Sequence, residues 1–115
     1  MAKEKLNGIY IPMVTPFHED ESINFAGIKE CTDFLADNGV TGIPSGSTGE
    51  MVAMTPDEQI AVNDAAVKAA DGRIKVVCST GAYRTKDVVK MSQAAEAAGA
   101  DGVMAVTPWY MAPNE

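Results

Sequence analysis

The sequence predicts a parallel α/β fold, and three observations carry that prediction. Short apolar segments suited to strands begin near residues 9, 41, 74 and 103, a recurrence of roughly 30 residues, which is the size of one βα unit. The stretches between them read as helices with recognisable start and stop signals. The composition is that of an ordinary folded domain, 46% hydrophobic and 22% charged over 115 residues, which excludes disorder and low-complexity structure. Length and the lack of any linker-like stretch give one domain, residues 1–115.

Each element has its own grounds. Residues 9–14 are apolar and β-rich, but Pro12 lacks a ladder donor and argues for an edge position. After the polar stretch His18-Glu19-Asp20-Glu21-Ser22, Asn24 is an N-cap, and Ile23 and Ile28 have the spacing of a hydrophobic staple. The first helix then sets Phe25, Ile28, Cys31, Phe34 and Leu35 on one apolar stripe and stops at Asn38-Gly39, where glycine can adopt the left-handed cap. Residues 40–45 form the second strand. Thr55-Pro56-Asp57-Glu58 is a capping box with proline at the first helical position and acids in the first turn. The second helix runs to Asp71-Gly72, with Ile60, Val67 and Ala70 suited to a buried face and Asn63, Asp64 and Lys68 to water. Residues 74–79 are the third strand. Thr85 is expected to cap a third helix carrying Val88, Met91, Ala95 and Ala98, and residues 103–106 are the fourth strand.

Strand-helix-strand repeats imply right-handed crossovers and a parallel sheet, but two strand orders fit. In the order 1-2-3-4 every helix lies on one face, as in a barrel, and the opposite face is left uncovered. In a doubly wound order the helices cover both faces. Periodicity does not separate the two, because strands are apolar on both sides in either arrangement. The barrel reading predicts an apolar patch larger than monomers usually expose, and therefore association.

Charge narrows the partners. Nine Lys and Arg against 16 Asp and Glu give a net charge of -7, the wrong sign for a nucleic-acid backbone or an anionic membrane surface. Residues 1–30 build no signal-type apolar region, and no run approaches the roughly 18 apolar residues of a spanning helix. The expectation is a cytoplasmic protein with neither nucleic acid nor membrane as partner. Cys31 and Cys78 lack metal-ligand spacing, with His18 the single histidine, so both read as small buried side chains and no metal or cofactor is expected.

Chemistry in parallel α/β proteins gathers beyond the carboxyl ends of strands. Of the segments there, Gly46-Ser47-Thr48-Gly49-Glu50 is the most informative. Gly46 and Gly49 would let backbone approach a ligand, and Ser47 and Thr48 offer hydroxyls and N–H groups suited to a carboxylate or phosphate. The lysines fit no nucleophile's setting: Lys75 opens the third strand at the wrong end, and Lys29, Lys68, Lys86 and Lys90 fall on helices as solvated ammonium groups. Trp109 reads as an interface or packing residue, and Tyr110 by itself fits either packing or a site.

That turn, followed by Thr55-Pro56-Asp57-Glu58, Ala98-Gly99-Ala100-Asp101-Gly102-Val103 and Thr107-Pro108-Trp109-Tyr110, with Thr15-Pro16-Phe17 upstream, resembles the dihydrodipicolinate synthase and N-acetylneuraminate lyase family over essentially the whole chain. The resemblance implies the first four strands of a (β/α)8 barrel and a class I aldolase acting on pyruvate or a pyruvate-derived molecule, in a homo-oligomer. It implies that the Schiff-base lysine belongs to a sixth strand and the proton-shuttling tyrosine to a fifth, neither present in this chain. By the same resemblance, Ser47 would relay protons with that tyrosine, Thr48 would hold the substrate carboxylate through hydroxyl and N–H, with Gly46 and Gly49 shaping the cradle, and Tyr110 would reach a neighbouring subunit's site. The chain departs from typical synthases in Ser47 and Met51, where threonine and serine are usual, and Pro56, Gln59 and Tyr83 stand where regulated synthases bind lysine. The resulting expectation is a half-barrel inactive by itself, with a half-barrel assembly module or a small doubly wound anion-binding domain as the alternatives.

Overall fold

The structure is a computed structural model and describes residues 5–109. Four three-residue strands alternate with three helices: β1 (Tyr10–Pro12), α1 (Phe25–Asp37), β2 (Thr41–Ile43), α2 (Pro56–Ala70), β3 (Val77–Ser79), α3 (Thr85–Ala98) and β4 (Gly102–Met104), with a single 3-10 turn at Met51–Ala53. β1 pairs in parallel with β2, and β3 with β4. A parallel bridge between Gly42 and Val76, and the Ser79 N–H donating to the Pro44 carbonyl at 3.2 Å, join the two pairs. The order is thus 1-2-3-4, with α1 packed on α2 and α2 on α3. This is the first half of a (β/α)8 barrel. The doubly wound alternative is corrected, because consecutive strands joined by same-handed crossovers send every helix to one face.

The helix starts and stops follow from local chemistry. The Asn24 side chain accepts from the Gly27 N–H at 2.9 Å, and α1 ends where Gly39 turns left-handed at φ 65°. Thr55 and Glu58 complete a reciprocal capping box at α2, which closes on left-handed Asp71 and Gly72. The cap expected from Thr85 is absent: Arg84 holds that position without a side-chain capping bond, its guanidinium donating instead to the Asp87 carboxylate, and Thr85 is the first helical residue. Gly99 is left-handed at φ 93°, and the Asp101 carboxylate accepts the Val76 N–H at 2.8 Å while its own N–H donates to the Val76 carbonyl. Asp101 therefore docks the start of β4 on the approach to β3, which gives the Gly99-Ala100-Asp101 run a structural meaning.

The core lies between the sheet and the helices and contains Met13, Ile28, Leu35, Val62, Ala66, Val76, Cys78 and Ala95. Ile28, Val62 and Met91 are fully buried, each such side chain stabilising the fold by about 1.5–3 kcal/mol. The stripe expected on α1 is only half right. Ile28 and Leu35 are buried, with Thr32 between them, whereas Phe25 is 47% and Phe34 67% exposed. Phe34 instead faces the open side of β1, with Ile11 and Cys31 in an apolar groove of about 380 Å³.

Strand alternation assigns Thr41, Ile43, Val77 and Ser79 to the face away from the helices. All four are buried, whereas on the same face Pro12, the partner of Ile43, and Met104, the partner of Ser79, are exposed, so the openness expected of that face lies at its outer strands. Leu6 lies against Gly102 at one end of the sheet, and Val106 lies across Gly81 at the other. Further apolar exposure lies on the two lateral edges, at Ile9, Ile11 and Phe34 beside β1 and at Val89 and Val103 beside β4. Among the described residues, no helix is long and apolar enough to cross a membrane.

Candidate functional site

The carboxyl ends of β1, β2 and β3 converge on the 46–50 turn. The buried Thr15 hydroxyl, two residues past Met13, donates to the Gly49 carbonyl at 2.6 Å. The turn is closed by the Glu50 N–H donating to the Ser47 carbonyl and the Met51 N–H to the Gly46 carbonyl, at 3.1 and 3.2 Å. Two non-glycine residues flank it in the left-handed region, Ser45 at φ 56° and Glu50 at φ 59°, each at a cost of about 1–2 kcal/mol. Such strain persists only where surrounding contacts dictate the backbone path. Here Ser45 is fully buried and its hydroxyl donates to the Gln59 carbonyl at 3.4 Å.

The two glycines of the turn differ in role. A Cβ on Gly49 would come within 2.9 Å of the Met13 carbonyl oxygen, 3.1 Å of Thr15 Oγ1 and 3.2 Å of the Ser45 nitrogen. Its glycine character is therefore required by the protein's own backbone. Gly46 has open space where a Cβ would sit and is buried in the turn. Ser47 and Thr48 form the exposed crest, and among the described residues neither hydroxyl has a hydrogen-bond partner. Such a crest, carried on a braced turn, can present two hydroxyls and backbone donors to a small anion. Tyr110 lies outside the described residues.

Two residues that sequence reasoning missed lie directly beneath. Asn63, expected in water, is 2% exposed and its Nδ2 donates to the Ser79 carbonyl at 2.9 Å. Gln59 is 4% exposed and its Nε2 donates to the Met51 and Met54 carbonyls at 3.2 and 3.5 Å. Their helical spacing of four, on the face that also carries Val62 and Ala66, was the available signal. An amide reads as polar by type, but here Asn63 serves the carbonyl at the end of β3 and Gln59 those of the 3-10 turn and the residue after it.

Beside the turn, Met51, Val52, Tyr83, Arg84, Asp87 and Trp109 line a groove of about 510 Å³. The Tyr83 and Trp109 rings meet at 4.3 Å between centroids and 43° between planes, so Trp109 packs as expected. The described lysines are elsewhere. Lys75 precedes β3 at its amino end and donates to the Lys5 carbonyl at 2.9 Å, while Lys29, Lys68 and Lys90 pair with Asp33, Asp64 and Asp57. Burial above all pushes the Cys78 thiol up to about 12, so it is an inert core side chain, whereas Cys31 is half-buried.

A profile described as the Dihydrodipicolinate synthetase family matches residues 5–115. The 4-hydroxy-tetrahydrodipicolinate synthase of Methanococcus maripaludis (strain C7) is 40% identical over 111 residues, which is 96% of this chain and 38% of that protein. Dihydrodipicolinate synthase from Aquifex aeolicus superposes with a TM-score of 0.85 at 36% identity, over 90% of this chain and 35% of that one. YagE, a prophage protein of the dihydrodipicolinic acid synthase family from E. coli K12 solved in complex with pyruvate, superposes with a TM-score of 0.90 at 30% identity, over 95% of this chain and 37% of that one. The chain thus spans about 38% of the length of the curated relatives it matches.

Proposed function

The chain belongs to the dihydrodipicolinate synthetase family, and from that premise we propose that residues 1–115 are the amino-terminal half-barrel of a cytoplasmic, pyruvate-dependent Schiff-base aldolase or lyase. In this reading the 46–50 turn is the substrate-carboxylate cradle. Thr48 holds the carboxylate through its hydroxyl and N–H, Ser47 passes protons to a tyrosine outside this chain, and Gly46 and Gly49 shape the backbone. Tyr110 completes the site of a neighbouring copy in a homo-oligomer. The observation that carries the reading is the pair of exposed, unpartnered hydroxyls on a turn braced by Thr15 and Gly49 at the carboxyl ends of parallel strands, where such folds do their chemistry.

In this reading, none of the described lysines is the nucleophile. Schiff-base formation needs a desolvated amine, and the described lysines are exposed on helices or lie at the amino end of β3. The test is borohydride reduction in the presence of pyruvate followed by intact-mass analysis. No mass gain is expected, and a reduced pyruvate adduct on any lysine of this chain would overturn the assignment. Pyruvate should still perturb the Ser47 and Thr48 amides in a heteronuclear NMR titration, with Thr48→Val abolishing the response.

A second reading, an assembly module, is favoured by the exposed edges at Ile11 and Phe34 on one side and Val103 on the other. Light scattering separates it. Self-association at micromolar concentration supports it, and a stable monomer removes it.

A further inference from the structure

The buried face of α2 carries two amide side chains one helical turn apart, Gln59 and Asn63, 4% and 2% exposed. Their NH2 groups are committed to main-chain carbonyls: Gln59 to Met51 and Met54, Asn63 to Ser79. That commitment fixes which way each amide points, since a flip would set carbonyl oxygen against carbonyl oxygen. The oxygens left over, Gln59 Oε1 and Asn63 Oδ1, are buried acceptors without a donor among the described residues. Two such acceptors on one face of one helix are a site for the smallest molecule with two donors.

We propose that a resident water donates to Gln59 Oε1 and Asn63 Oδ1 together, making the two amides positioning residues that hold the Met51–Ala53 segment and the carboxyl end of β3 in one register beneath the 46–50 turn. The water converts two separate clamps into one polar strut. Gln59 holds the segment leaving the turn, Asn63 holds the last residue of β3, and the Ser45 hydroxyl bonded to the Gln59 carbonyl ties in the residue where the turn begins. The inference concerns the scaffold and stands whether or not the turn binds a carboxylate.

Two measurements on the 115-residue chain test it. Water-to-protein NOE and ROE spectra of the wild type should show a long-lived water contacting the side-chain NH2 protons of Gln59 and Asn63. Absence of that signal on both amides overturns the water. Amide hydrogen exchange then tests positioning, with Gln59→Met and Asn63→Leu compared against Val62→Ala, a core truncation on the same helix. Gln59→Met should accelerate exchange at Met51, Ala53 and Met54 at least tenfold more than at the β1–β2 pair, while Val62→Ala should accelerate all of them alike. A uniform response in the amide variants overturns the positioning role. Should either variant fail to fold, the wild-type water spectra still decide for or against the strut.

Discussion

Gly49→Ala isolates the brace under the turn. The new Cβ would lie 2.9 Å from the Met13 carbonyl oxygen and 3.2 Å from the Ser45 nitrogen, and neither backbone atom can swing aside as a flexible side-chain end would. Overpacking of this kind costs about 1–3 kcal/mol. The displacement also stretches the bond from the Thr15 hydroxyl to the Gly49 carbonyl, worth about 0.5–1.5 kcal/mol, so the whole loss is about 1.5–4.5 kcal/mol. Urea unfolding followed by circular dichroism reads this directly: with an m-value of about 2 kcal/mol/M, the midpoint falls by about 1–2 M. Gly46→Ala is the matched control. It lies three residues away, has no atom within 4 Å of the Cβ position and no left-handed φ, so its effect stays within about 0.5 kcal/mol. Equal midpoints for the two variants would refute the reasoning, because both change the same residue type in one turn and only the close approach distinguishes them.

Thiol labelling checks the cysteines: at pH 8, iodoacetamide should modify native protein at Cys31 in preference to Cys78, whose raised value leaves almost no thiolate, and peptide mapping should find Cys78 labelled only after unfolding. The capping box predicts an acid dependence. Donation from the Thr55 N–H, and then from its hydroxyl, holds the Glu58 carboxyl below the ordinary glutamate value, so its stabilisation is complete above that value, about 4.3, and disappears as pH falls through the lower folded value; Glu58→Gln should flatten that limb of the stability–pH curve. Thr55→Ala should cost about 1 kcal/mol at neutral pH in the same unfolding experiment. Finally, Met91→Ala should destabilise by about 2–5 kcal/mol, while Phe34→Ala should stay within about 0.5 kcal/mol in a monomeric chain; a large loss from Phe34→Ala would show its ring to be covered.

What the sequence made legible was whatever rests on local chemistry. Asn24, Thr55 and Glu58, and the left-handed glycines at 39, 72 and 99, mark helix ends because cap geometry is written in a few adjacent residues. Strand order was not legible from periodicity, since a strand buried on both sides looks the same in a barrel and a doubly wound sheet, and the register linking Gly42 to Val76 was needed to decide it. Phe34 misled for a related reason. An apolar side chain on a core stripe is also what a lateral edge requires, and sequence alone does not tell these surroundings apart. The turn at 46–50 stood out through its glycines, but the division of labour between them depends on Met13, distant in sequence. Asn63 was read by residue type as solvated, although its partner is a carbonyl at the end of β3.

The contact between Gly49 and Met13 has a mechanical consequence. With no side chain between them, the crest bearing Ser47 and Thr48 rides directly on the backbone that leaves β1, like a pawl resting on a rack. Whatever comes to border β1 along its free margin can therefore shift the two hydroxyls without touching them, and the crest is tuned by a neighbour's fit as much as by its own residues.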